Sequence, residues 1–293
     1  MKDWEEWIQD FIEHYQKKGF KHIVFLDNGS TDETLRIAQK YATVTILETK
    51  IPFQYNTLLR RYLITRFSKK RWSLTVDIDE LWDYPYSDKF SLEKLFKYLS
   101  AQGANAVIAQ MLDMFMPYLP TEKVPLSAYD YYDISHIEKD NLMTKGYLDA
   151  RGFLSEKDLN SKMGFLKGGI RAQLFWLQNI WLTKIPLLFF DKTLHPLVHA
   201  HGSDNAIIAD ISSVLFHYKF TSHFKNQVQD ALKWEQYSNN SEDYKAYAQG
   251  LQGDSPVQFQ LSTAKRFKSV NQLIDEKFLV VSDLYLNEVD KIK

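Results

Sequence analysis

Ser73-Leu74-Thr75-Val76-Asp77-Ile78-Asp79-Glu80 reads as a short buried strand that ends in three carboxylates. On an extended backbone Asp77 and Asp79 project to one side while Ile78 points away. Carboxylates in apolar surroundings need partners. Two on one face repel each other unless a proton, a Lys or Arg, or a hard divalent cation intervenes. The leading expectation is a Mg²⁺ or Mn²⁺ site serving a phosphorylated substrate; a polar strand end at the surface is the alternative.

A second acidic stretch, Asp27-Asn28-Gly29-Ser30-Thr31-Asp32-Glu33-Thr34, lies between a predicted strand and a helix start. A carboxylate at residue 27 can accept hydrogen bonds from a nucleobase or a ribose, and Gly29 lets a backbone approach closely. The helix N-terminus would also favour an anion. Turn and cap chemistry explains Gly29, Ser30 and Glu33, with Ser30 and Glu33 as a capping box, but leaves Asp27 unexplained. Arg60, Arg61 and Arg66 precede the acidic strand; solvated by default, one of the pair could instead neutralise a diphosphate. Lys167-Gly168-Gly169-Ile170-Arg171 reads as a turn or as an amide-lined concavity, with Lys167 or Arg171 reaching an anion.

Five histidines crowd the second half: His195, His199, His201, His217 and His223. His199 and His201 share a face if extended, and a neutral imidazole suits Mn²⁺. Without a His-Glu-x-x-His pattern, a zinc hydrolase is disfavoured. His217 is either a core-edge histidine or, if the chain folds back over the sheet edge, a ligand completing an Asp79 site.

The elements that must position these groups follow from periodicity. Apolar spacing predicts helices over residues 4–18, closed by Gly19, then 31–41, 55–67, 90–100, 224–237, 244–249 and 270–279. Strands are predicted at 22–26, 43–47, 72–76, 104–110, 184–190 and 214–218, with long loops and short strands over 111–164 forming one wall of a site. The strand–helix alternation of the first eighty residues predicts an α/β fold whose mixed sheet is mostly parallel and flanked by helices. Ligands gather beyond the carboxyl ends of such strands, where Asp27 and Asp77 could share a cleft.

The 293 residues suffice for a full core. A net charge of −1 argues against a nucleic-acid partner. The absence of cysteine excludes disulfides and thiolate zinc sites and permits a reducing compartment. Nineteen Phe, seventeen Tyr and seven Trp can fill a core or stack on bases and sugars; Tyr118, Tyr129, Tyr131, Tyr132 and Trp176 are candidates for an acceptor surface. Residues 174–190 are apolar but interrupted by Gln178, Asn179, Lys184 and Pro186, so they suit peripheral docking at a membrane better than spanning one.

Taken together, Asp27 to Asp32, Asp77 to Glu80, Lys167 to Arg171 and Leu215-Phe216-His217-Tyr218-Lys219 resemble, in order, the motifs of bacterial family 2-like glycosyltransferases, over residues 4–225. The resemblance implies a GT-A-like nucleotide-diphospho-sugar transferase core over 1–225 and a C-terminal helical extension over 226–293. It implies metal-dependent transfer of a sugar from a nucleotide-diphosphate donor to a hydroxyl of a carbohydrate or glycolipid, in surface polysaccharide assembly. The location implied is the cytoplasm or the inner face of its membrane. Asp27, Asn28, Ser30, Arg61, Asp77, Lys167, Gly169 and Arg171 would bind the donor. Asp79 and His217 would hold Mn²⁺ or Mg²⁺, and Asp204, Asp210 and Asp113 are the candidates for the base. One departure is that such relatives open with a strand carrying an Asn-Glu pair, whereas this chain starts at the following helix; the opening strand is expected to be missing or replaced. Two other readings remain: a metal-dependent phosphohydrolase and a non-catalytic carbohydrate-binding protein.

Overall fold

The computed structural model describes residues 1–141, 152–153, 163–178, 180–191, 194–199, 202–234, 242–252, 257–259 and 261–292. In chain order the elements are α1 (Ile8–Lys18), β1 (Ile23–Asp27), α2 (Thr34–Ala38), β2 (Val44–Glu48), α3 (Asn56–Phe67), β3 (Trp72–Leu74), β4 (Glu80–Asp83), α4 (Leu92–Ala101) and β5 (Ala106–Asp113). There follow β6 (Tyr131–Tyr132), β7 (Ile137–Asn141), β8 (Gly152–Phe153), β9 (Gly164–Gly168), α5 (Gly169–Phe175), β10 (Thr183–Phe189), β11 (His195–His199), β12 (Gly202–Asp204) and β13 (Ile207–His217). The chain closes with α6 (Phe224–Trp234), α7 (Glu242–Gly250), β14 (Lys265–Arg266), α8 (Val270–Asp275) and α9 (Asp283–Asp290).

The predicted mostly parallel sheet is not what these strands build. β1 and β2 pair in parallel, but as a separate two-stranded sheet. The main sheet runs β3-β10-β5-β13-β4, with β8 beside β13. Its β3–β10, β10–β5 and β13–β4 pairs are antiparallel, and only β5–β13 and β8–β13 are parallel. The result is a mixed, mostly antiparallel and strongly curled half-barrel. This overturns both the GT-A-like fold and the resemblance to family 2-like glycosyltransferases drawn from the motifs. The reason is physical: alternation of strands and helices specifies which segments pair locally, but not that β10 would insert antiparallel between β3 and β5.

The curl follows from chain length. After Leu74 the backbone continues along β10, with the Thr75 N–H donating to Pro186 O at 2.9 Å. Val76 to Asp79 then lead from Thr75 to Glu80, the first residue of β4 at the opposite edge, through a turn in which Glu80 N–H donates to Asp77 O at 3.1 Å. A flat sheet would set those edges roughly 19 Å apart at about 4.8 Å per strand. The two Cα steps from Thr75 to Asp77 reach about 7 Å, and the turn from Asp77 to Glu80 adds less than about 7 Å. The sheet therefore has to close, and Lys184 of β10 reaches Glu80 of β4 in a buried ion pair. Glu80 also accepts the Asp77 N–H at 3.0 Å through its second oxygen.

β5 is buried along its whole length, as expected of a strand covered on both faces. Val107, Ala109 and Met111 face the large cluster built with α1, α4, α8 and α9, while Ala106 and Ile108 face a smaller one with Ile64 and Ile185. A third cluster, rich in aromatics, joins Phe115, Phe175, Phe220, Phe224, Tyr247 and Phe259 beneath α5, α6 and α7.

Two local expectations also shift. Ser30 does not cap a helix, because its hydroxyl donates to Asp27; α2 begins only at Thr34, whose N–H is accepted by Asp32 at 3.0 Å. The strand at 214–218 is the end of the longer β13, which carries a register shift between Ile208 and Ser212. No helix among the described residues is long and apolar enough to cross a membrane.

The closing ion pair yields a stability prediction. Lys184→Met leaves Glu80 buried without its cation and is expected to cost about 3–5 kcal/mol in urea unfolding. The double variant with Glu80→Gln should recover most of that loss. Single and double variants of equal stability would show that the pair does not hold the sheet closed.

Candidate functional site

Because β5 and β13 run parallel with Asp113 opposite His217, and β4 returns with Glu80 opposite His217, three strands deliver their polar residues to one end of the sheet. The tight crossing lays Asp79 over that end, its carbonyl accepting the Tyr218 N–H at 2.9 Å. His217 stands at the centre. Its Nδ1 lies 2.5 Å from Asp113 Oδ1, and its Nε2 lies 3.5 Å from Asp79 Oδ2. Arg171 of α5 donates through Nε to the other Asp113 oxygen at 2.8 Å. Next to this row, Asp77 is held by Arg60 of α3 and, at 3.5 Å, by Lys184.

Charge alternates along both rows, and that sets the protonation states. Burial opposes ionisation of Asp113, but the Arg171 charge and the His217 hydrogen bond outweigh it and bring its pKa down to about 2. Asp79 is also lowered against burial, by hydrogen bonding to His217 and by its charge. For Asp77, Arg60 and Lys184 overcome burial and hold the carboxyl well below the usual range. Burial lowers the His217 pKa, yet its bonds to Asp113 and Asp79 prevail and the imidazole is raised.

The cluster forms the floor of a cleft of about 1820 Å³ that also reaches Met1, Asn28, Arg60, Lys184, Lys219, Asp243, Tyr244 and Tyr247. Lys219 sits 4.9 Å over the Tyr244 ring and donates to its hydroxyl at 3.1 Å. α7 carries Asp243, Tyr244 and Tyr247 and packs on α5 so closely that a Cβ at Gly250 would meet the Phe175 ring at 2.6 Å. Burial raises the Asp243 carboxyl.

Of the residues singled out from sequence, Arg60, Asp77, Asp79, Asp113, Arg171 and His217 come together here. The others are committed to contacts of their own. Asp27 is buried and spent on its own turn, accepting from the Gly29 and Ser30 amides at 2.9 and 3.0 Å and from the Ser30 hydroxyl. Asn28 lines the cleft but donates to Ile51 O at 2.8 Å. Arg61 donates to Pro196 O at 3.2 Å, and Lys167 pairs with Glu138 and Asp140. The glycine pair makes no amide-lined concavity: Gly168 N–H donates to Ile180 O and Gly169 N–H to His136 O. Gly168 has φ +94°, and a Cβ there would lie 2.7 Å from His136 O, so backbone contact explains the glycine. Asp210 is buried away from the cleft, accepting from Tyr98 at 2.5 Å and from Ser282. The side chains of Asp204 and His199, and residue His201, lie outside the described residues. Tyr129 and Tyr132 are core residues, and Tyr118 and Trp176 are exposed but do not line the cleft.

Sequence reasoning missed Lys184 and Asp243 as members of the site, and gave Glu80, the last carboxylate of the acidic stretch, no role of its own. For Lys184 a signal existed: a lone lysine inside an apolar run requires a buried carboxylate. Asp243 carried none, since an acid in a first helical turn is ordinary.

No family model matches this chain, and no curated protein matches it. Among the described residues, no group of three or more His, Cys, Asp or Glu is arranged to hold a metal ion. Asp79 and His217 do suit a cation that takes its remaining ligands from substrate. Their facing atoms are 3.5 Å apart, and Asp113 anchors the far ring nitrogen as a carboxylate anchors a metal-bound histidine.

The pKa directions define a pH profile for the metal-free chain. Asp113 contributes stability that is present above 3.8 and lost as pH falls through about 2. His217, raised above 6.5, contributes stability that is present below 6.5 and lost as pH rises through its folded value. Urea midpoints should therefore decline on the alkaline side of 6.5, and His217→Gln should flatten that limb. Parallel curves for the two proteins would remove the imidazolium from the account.

Proposed function

We propose that the cleft binds a nucleotide-diphosphate sugar with Mn²⁺ or Mg²⁺ and transfers the sugar to a hydroxyl of a carbohydrate or glycolipid acceptor. The observation that carries this reading is Asp79 facing His217 on the floor of a deep cleft, with Arg60, Lys184 and Lys219 at its walls. Bound there, the cation would neutralise charge developing on the departing diphosphate.

The chain's own residues supply the rest. Arg60, Lys184 and Lys219 favour phosphate oxygens, although Arg60 and Lys184 must share their charge with Asp77 and Glu80. Tyr244 and Tyr247 offer faces to a base or a sugar ring. Asp243 is better suited as base than the three acids picked from sequence: it lines the cleft, and burial raises its carboxyl toward a useful basicity. The acceptor oxygen would form its bond to the anomeric carbon as the bond to the diphosphate breaks. The electron pair would leave with the nucleoside diphosphate, and the hydroxyl proton would pass to Asp243. Ile51, Tyr55, Leu58 and Tyr62, exposed around the start of α3, would suit peripheral contact with a membrane carrying a glycolipid acceptor.

Calorimetric titration with UDP- and GDP-sugars, with and without Mn²⁺, tests the reading. Binding should require the metal and be abolished by Asp79→Ala. Asp113→Asn should weaken metal affinity roughly 10–100-fold through loss of the histidine anchor. Asp243→Asn should keep donor binding and lower transfer by roughly 10²–10⁴-fold. Metal-independent binding, or binding indifferent to Asp79, would refute the proposal. Donor hydrolysis that acceptors neither stimulate nor compete with would identify a phosphohydrolase instead, and glycan binding without turnover a carbohydrate-binding protein.

A further inference from the structure

Seven large apolar or aromatic side chains are exposed among the described residues, and four of them fall on one short stretch around the start of α3: Ile51, Tyr55, Leu58 and Tyr62. Tyr55, Leu58, Tyr62 and Arg66 recur at three- and four-residue spacing, so they share one side of the helix. Ile64, on the opposite side, is buried, while Leu59, Leu63 and Phe67 line the cleft. A helix that is apolar on two sides has two surfaces to bury. The described structure covers only the inner one. The apolar run over 174–190 offers no substitute along its strand, because β10 is buried between β3 and β5.

Charge sets this stretch apart as well. Between Glu48 and Asp77 the sequence holds seven Lys and Arg and no acid, in a chain of net charge −1, so the remainder is acidic. Arg60 is committed to Asp77, and Arg61 to Pro196 O. Arg66 continues the exposed side of α3, and Lys69 and Lys70 follow, also exposed, in the turn behind it. That turn is fixed in place: Lys70 has φ +57° and donates its N–H to Phe190 O at 2.7 Å, and Arg71 N–H donates to Ser68 O at 3.2 Å. The helix dipole accounts for a cation in the last turn. It does not account for aromatic and apolar side chains left in water one and two turns earlier.

We propose that the outer side of α3 docks on an anionic lipid bilayer. Ile51, Tyr55, Leu58 and Tyr62 enter the headgroup boundary, and Arg66, Lys69 and Lys70 meet the lipid phosphates. A nucleic acid would match the cations but leave Ile51 and Leu58 exposed. Because the inner side of α3 walls the cleft, one helix carries both the membrane contact and the cleft wall. This gives the peripheral contact attached to sugar transfer a lipid class and an orientation, yet docking does not require the cleft to transfer anything.

Flotation of the full chain with vesicles of roughly one-third phosphatidylglycerol in phosphatidylcholine, against phosphatidylcholine alone, tests this. The triple variant Arg66→Gln, Lys69→Gln, Lys70→Gln should partition roughly 100-fold more weakly to the anionic vesicles, at about fivefold per charge. Leu58→Ser with Tyr62→Ser should weaken partition at least about tenfold, and that loss should persist at high salt, where the effect of the cations fades. All five positions are exposed, so thermal midpoints should match the parent protein. Equal partition to the two vesicle types, or partition indifferent to either variant, would overturn the proposal. So would displacement of the vesicles by an RNA oligonucleotide that the Leu58→Ser, Tyr62→Ser protein binds unchanged, since the occupant would then be a nucleic acid. Sugar-nucleotide titration without vesicles reads the cleft separately, so either proposal can fail alone.

Discussion

The short crossing from Thr75 to Glu80 is the constraint on which the rest of the molecule depends. Four intervening residues, the last two in a turn, must connect opposite edges of a five-strand path, and they can do so only if the sheet rolls up. Rolling brings β10 within reach of β4, and Lys184 and Glu80 close the gap. Two charges removed from water are costly unless matched. Their pairing, with the second Glu80 oxygen taken by the Asp77 amide, leaves neither ionised group unsatisfied. The same crossing lays Asp79 against His217, so the geometry that closes the sheet also assembles the polar floor of the cleft.

Above that floor, neighbours of opposite sign share each other's charge. Arg171, Asp113, His217 and Asp79 form one row; Arg60, Asp77, Lys184 and Glu80 form the other. In such rows no member titrates alone, and removing one exposes the next. Asp79 ends its row, facing His217 at 3.5 Å and the charge of Lys219, and so presents its carboxylate to the cleft. Asp113 plays a supporting part: held by Arg171 on one oxygen and His217 on the other, it orients the imidazole and does not line the cleft where substrate would sit.

Local chemistry was legible from the residues. Short apolar runs marked β1, β2, β5 and β10, and the carboxylates of Asp77 and Asp79 marked the polar end of the sheet, although they lie beyond β3 at a turn and not on one side of an extended strand. Strand order was not, because the decisive partner of β3 is β10, more than a hundred residues further along, and nothing local to Trp72–Leu74 encodes an antiparallel neighbour. The turn at Asp27 shows the converse difficulty. Its carboxylate looked unexplained by turn chemistry, yet it is consumed by the amides and hydroxyl of its own turn, a use that composition does not separate from ligand binding. Lys167 and Gly169 are similar: their order in the chain matched a motif, but their charge and backbone are taken up by the β7–β9 pair and its neighbours.

The contact between Gly250 and Phe175 has a consequence for how this cleft could be altered. With no room for a methyl group, α7 is pressed onto the helix that bears Arg171, so a shift of α7 would be passed to the guanidinium. Breathing at the cleft mouth would have to drag the arginine off Asp113 or carry the whole aromatic cluster with it. A single alanine at that position would therefore act as a wedge, felt at the imidazole through a relay of contacts without touching it.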